Sequence, residues 1–211
     1  MAAAASWPLL MVTIRWESLG PLLVTALAVM GSPGPATVSL TAAGSAFGVR
    51  RSLGYMIGIV AGTMLVLVAV AAGITAAVLA VPALRALLIV VSAAYILWLA
   101  YHVATTAPPA ARTAGAAPPS LIGGTLLGAA NPKAWVALTA VFTSARLADT
   151  AMADAAAKVA VLSAMAVLIL TGWLLSGASL ARLLRDRGRA RIFNSVLAAA
   201  LVGATAYAIL R

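Results

Sequence analysis

Charged residues are so sparse along this chain that the gaps between them draw its outline. No charge falls within residues 18–49, 52–84, 86–111, 159–181 or 192–210, and the stretch 113–145 is interrupted only by Lys133. Crossing a bilayer as a helix takes about 20 apolar residues, and each stretch supplies them. Trimmed for turns, the pattern predicts six membrane-spanning helices at about 20–44, 53–80, 84–106, 120–143, 158–180 and 192–210. Residues 1–19 form a lead-in without the basic opening of a signal peptide. Residues 107–119 carry the proline pairs Pro108-Pro109 and Pro118-Pro119, which disfavour helix and predict an extended linker. The linker leaves two units of three spans, 20–106 and 120–211. Three is odd, so the second unit enters the membrane from the opposite side. The fold class is therefore an all-α polytopic membrane protein built as two inverted three-helix repeats.

Composition strengthens this reading. The chain is 64% hydrophobic and 9% charged, where soluble domains run near 45–50% apolar and about 25% charged. Its net charge of +10 belongs to loops rather than to a nucleic-acid surface. Arg50, Arg51, Arg112 and the five arginines of residues 182–191 share one side, against Arg15, Arg85, Arg146, Lys158 and Arg211 on the other. Basic loops stay in the cytoplasm, which puts the 182–191 loop inside and both termini outside. The expected partners are the lipid bilayer and a small molecule, with no nucleic acid; a homo-oligomer is left open. There is no Cys and one His, and the four carboxylates sit near span ends. That inventory predicts neither an enzyme nor a cofactor or metal site.

Both units open with a helix that proline interrupts. The first contains Ser32-Pro33-Gly34-Pro35 and the fourth span contains Asn131-Pro132-Lys133. Proline removes a backbone donor and clashes with the preceding turn, and irregular backbone at membrane depth survives only in protein or beside a polar cavity. A lone transmembrane proline usually just kinks its helix. Matched breaks in two halves point instead to a transporter's midplane site. Lys133 lies about 20 Å into its span, where a cation is costly unless it faces a cavity or snorkels to an interface. The candidate substrate-binding residues are Ser32, Pro33, Gly34, Pro35, Thr37, Asn131, Pro132 and Lys133. In this reading Lys133 and the amides near Gly34 and Asn131 take a carboxylate, while freed carbonyls and the Ser32 and Thr37 hydroxyls take an ammonium. Gly54, Gly58 and Gly62 form a small-residue stripe for helix packing, either fixed or as a moving seam. Tyr95, Trp98, Tyr101 and His102 read as an interfacial belt, with His102 an anchor rather than a proton carrier.

Together these segments resemble the LysE/RhtB family of bacterial amino-acid exporters. The resemblance rests on Gly20-Pro21, Ser32-Pro33-Gly34-Pro35, Gly48-Val49-Arg50-Arg51-Ser52-Leu53-Gly54, Ala93-Ala94-Tyr95-Ile96-Leu97-Trp98 and Gly128-Ala129-Ala130-Asn131-Pro132-Lys133. It implies a six-helix inner-membrane exporter driven by the membrane's ion gradient or potential. Members that move Lys or Arg tend to carry an acidic residue in the second and fourth spans. Here those places read Gly62-Thr63 and Trp135-Val136-Ala137. The substrate expected is thus neutral or zwitterionic rather than cationic. Alanine and valine after the Asn-Pro-Lys motif imply a wider or more apolar pocket than usual. A membrane-embedded enzyme would need a nucleophile–base or carboxylate pair at one depth, and no span has one. A non-transporting assembly subunit would suit the glycine stripe but leave two broken helices without purpose.

Overall fold

The computed structural model describes residues 13–74 and 118–183, with scattered positions between 81 and 101 and between 192 and 203. Most of the expected third and sixth spans, of the linker and of the arginine loop, and His102, lie outside the described residues. Five helices are described: α1 (Trp16–Gly31), α2 (Pro35–Ala71), α3 (Leu121–Ala130), α4 (Pro132–Ser144) and α5 (Ala151–Leu183). Pro35–Ala71 and Ala151–Leu180 are long and apolar enough to cross a membrane.

Proline and glycine write the boundaries. Pro33 forces Ser32 out of the helical region (φ −64°, ψ 150°), which ends α1. Pro35 then opens α2 with a φ already suited to a helix. Within α2, Gly48 adopts φ 75°, a left-handed conformation that side chains resist, and the chain doubles back there. The Ser52 hydroxyl donates to Ala43 O at 3.0 Å and the Tyr55 hydroxyl to Ser39 Oγ at 3.2 Å, which stitches arm 35–47 to arm 49–71. The first expected span is thus α1 plus the first arm of α2, and the second is the other arm. That arm closes at Ala71 beside Gly73 (φ 74°), short of the expected end at 80.

The fourth expected span is α3 followed by α4, parted at Asn131. The fifth begins seven residues earlier than its charge boundary, at Ala151 rather than 158. Lys158 does not mark an end because it is buried and paired, i to i+4, with Asp154 at 2.8 Å.

α2 sits at the centre. Its second arm meets α3 along two facing glycine pairs. A Cβ on Gly58 would lie 2.1 Å from Leu121 O, and one on Gly62 2.2 Å from Thr125 O. From the other side, a Cβ on Gly124 would meet Tyr55 O at 2.3 Å and one on Gly128 would meet Ile59 O at 2.5 Å. Only backbones without side chains fit here. Among the described residues nothing lies within 4 Å of a Cβ built on Gly54, and the close seam with α3 is made at Gly58 and Gly62. The first arm packs on α5 in the same manner, through Gly44 against Leu174 O and Gly177 against Thr41 O. Two apolar cores result, one around Val38, Tyr55, Leu127 and Leu174, the other around Leu22, Leu67, Leu138 and Leu162.

Before α1 the chain is tied down. Ile14 pairs with Ala148, the Arg15 amide donates to Leu147 O at 2.9 Å, and Arg15 bridges Asp149 at 2.9 Å. The start of α1 therefore stands beside the end of α4. From that shared end, 16 residues of α1 rise about 24 Å and 13 residues of α4 about 20 Å before each break. The two interruptions come at similar depth.

Candidate functional site: two helix breaks joined by a lysine

A helix end leaves carbonyls and amides without helical partners, so each break must be satisfied by something else. At the first, the Ser32 hydroxyl donates to Val29 O at 2.9 Å, and Trp173 Nε1 from α5 donates to Gly31 O at 3.3 Å. The Gly34 amide donates to Thr37 Oγ1, and the Thr37 hydroxyl returns a bond to Gly34 O. At the second break, Asn131 Oδ1 accepts from the Lys133 amide at 3.1 Å, and Asn131 O accepts from the Ala134 and Trp135 amides. Trp135 Nε1 closes the end of α3 by donating to Ala129 O at 2.8 Å.

Lys133 joins the two. Its ammonium, carried by α4, donates to Ser32 O and, at 3.3 Å, to Pro33 O. A cation at the carboxyl end of α1 also meets the negative end of that helix's dipole. The side chain lies over Gly34, where a Cβ would fall 2.6 Å from Lys133 Cδ. Glycine at 34 makes room for the lysine's stem.

Beside this junction lies a cavity of about 60 Å³, room for several waters or one small molecular fragment. Thr37, Thr63, Asn131 and Lys133 give it polar groups, Gly34 and Ala36 give it backbone, and α4 and α5 give it an apolar wall of Ala134, Ala137, Leu138, Ala166, Ile169 and Leu170. Among the described residues that line it, Lys133 is the one charged group and none is acidic. Asn131 is 5% exposed. Its Oδ1 is engaged, but its Nδ2 amide donates to nothing among the described residues. An unmade hydrogen bond on a buried donor costs about 1–3 kcal/mol, so that group calls for a water or a ligand.

Of the residues expected at the site, Gly34, Thr37, Asn131 and Lys133 line the cavity; Ser32, Pro33, Pro35 and Pro132 shape the backbone behind it. The amides expected to hold an anion are already engaged within their own turns, and the Ser32 and Thr37 hydroxyls also serve backbone carbonyls. A model of the LysE type translocator matches residues 27–211. The chain belongs to the LysE type translocator family. Translocators of this family are transporters and not enzymes, and membership makes export of an amino acid or metabolite, in general terms, its work. No curated protein and no solved structure matches the chain.

In this translocator, sequence reasoning missed Thr63 and the α5 wall. Thr63 carried a signal: it is a hydroxyl one residue after Gly62 in an otherwise apolar arm. Ala166, Ile169 and Leu170 carried none, since an alanine and two aliphatics in a membrane helix look alike whether they face lipid or a cavity.

Proposed function

We propose that this chain exports a small neutral or zwitterionic amino acid, or a related metabolite, across the bacterial inner membrane by alternating access at the junction of the two broken helices. One observation carries the reading: Lys133 brings a cation from the second break onto the carbonyls of the first, beside a small cavity with no carboxylate among the described residues that line it. A cationic substrate would meet Lys133 there with no counter-charge, which is costly where water is scarce. A zwitterion finds a partner at each end. Its carboxylate goes to Lys133 with the unengaged Asn131 amide, and its ammonium to the carbonyl-rich turn from Ser32 to Thr37. Pro33, Pro35 and Pro132 serve by keeping these backbone segments out of the helix.

Opposite insertion of the two halves draws support from the tie between the start of α1 and the end of α4, as inverted repeats of three helices would place them. Six spans, with the 182–191 loop in the cytoplasm, complete the reading. Efflux from loaded proteoliposomes across a panel of amino acids tests it. Export should favour small neutral members, and Lys133→Ala should reduce it at least tenfold, about 1.4 kcal/mol of lost transition-state binding, with membrane abundance near normal. Lys133→Glu should do no better. Wild-type export by the alanine variant would remove Lys133 from the site.

A further inference from the structure

We propose that the Ser32 and Pro33 carbonyls are the substrate's ammonium site, and that Lys133 fills this site itself while no substrate is bound. The inference deepens the export reading and rests on it. It begins with an accounting of carbonyls. Around the first break, Val29 O, Gly31 O and Gly34 O are each served by a neutral donor of the protein, namely the Ser32 hydroxyl, Trp173 Nε1, and the Val38 amide with the Thr37 hydroxyl. Ser32 O and Pro33 O are served by an ammonium. Freed carbonyls at a half-helix carboxyl end form a place that suits a cation, and the one cation beside it among the described residues is tethered.

The tether is built for that position, since Gly34 leaves the space that its stem occupies. Yet among the described residues the ammonium rests on neutral dipoles, and none of those lining the cavity is a carboxylate. A hydrogen bond between two ionised groups is stronger than one to a neutral carbonyl. A carboxylate arriving beside Asn131 Nδ2 therefore draws Lys133 off the carbonyls. The substrate's own ammonium takes the vacated place. One cation leaves the carbonyls as another arrives, so the break is never left with bare acceptors. The ligand class follows: the molecule must carry a carboxylate to move the lysine and a primary ammonium to replace it. A monocarboxylate lacks the second group and a simple amine lacks the first.

The exchange is tested by giving the vacated site a free ammonium. Lys133→Ala and Lys133→Met, the latter keeping the stem's bulk, are purified in detergent and melted with ethylammonium chloride or tetramethylammonium chloride at equal ionic strength. Ethylammonium should raise the apparent Tm of the variants by about 2–4 °C, leaving wild type unmoved; tetramethylammonium, which has no N–H, should raise none. No rise in either variant, or an equal rise with tetramethylammonium, overturns the site. In wild-type proteoliposomes, the N-acetyl derivative of each exported amino acid should compete at least tenfold less well than its parent. Equal competition overturns the exchange and leaves export standing. If no amino acid is exported, the export reading fails, and the ethylammonium result still decides the carbonyl site.

Discussion

Lys158 and Asp154 show how a neighbour sets what a charge costs. Lys158 is 5% exposed, with its ammonium 2.8 Å from Asp154 and 4.9 Å from the centre of the Phe142 ring. Asp154 serves more than the lysine, because its Oδ1 also accepts from the Leu147 and Ala148 amides of the α4–α5 loop. The two truncations are therefore unequal. Asp154→Ala strands a buried cation and two amides at once, and breaking a buried pair costs about 3–5 kcal/mol. Lys158→Met leaves the carboxylate two donors and puts an apolar stem against Phe142. In detergent melts the aspartate variant should lose on the order of 10 °C and the lysine variant less. An equal or larger loss for Lys158→Met would mean that the cation, not the carboxylate, holds this corner.

Along the α2–α3 seam, backbone meets backbone, and a single methyl group tests each glycine. Gly58→Ala and Gly62→Ala must push α3 away, at about 1–3 kcal/mol each. Gly54→Ala meets open space among the described residues and should gain up to about 1 kcal/mol from helix propensity. Loss of stability at Gly54 in the same melts would mean that the stripe packs on something beyond this seam. The strap ahead of α1 offers a test by pH. Donation from Arg15 holds the exposed Asp149 carboxyl below its usual range, so the tie contributes above the ordinary carboxylate pKa and is lost as pH falls through the lowered one. Asp149→Asn should be less stable than wild type near neutrality, with the difference closing in acid; a difference that stays constant with pH would exclude the ionised pair. What was legible in the sequence follows the same physics. Proline marks its break openly, so Ser32–Pro35 and Asn131–Pro132 stood out. Gly48 and Gly58 look alike as letters, although one takes a positive φ and the other a backbone contact. Lys158 looked like a boundary because its partner, one turn away, lies inside the same helix. Where Lys133 points was not legible, because its acceptors are main-chain carbonyls, which leave no mark on side-chain pattern.

Both faces of the bundle tell where lipid lies. Ile57, Leu65, Val68, Leu126, Val136 and Leu168 are large, apolar and exposed on α2, α3, α4 and α5. In water such a band would be a liability; against hydrocarbon it costs nothing, while each backbone break is kept inside among protein groups. Orientation in that bilayer then depends on charge. Arg50 and Arg51 follow the bend at Gly48, on the end of the bundle away from the Arg15–Asp149 tie. Arg15, Arg146 and Lys158 gather at the tied end, but Glu17, Asp149 and Asp154 gather there too. Among basic residues near span ends, the arginines from 182 to 191 tip the balance; they begin in the last turn of α5, which runs away from the tied end and, packed on the arm before Gly48, heads for the end that holds the bend. Basic loops resist translocation, so the bend should face the cytoplasm and the tie should face outward. A reporter fused after Arg187 should therefore read cytoplasm. One sixth crossing would carry the chain end out, and a reporter after Arg211 should read the outside. A cytoplasmic reading at Arg211 would mean an odd number of crossings, and with it the opposed halves that bring Lys133 to Ser32 as two inverted repeats would have to be given up.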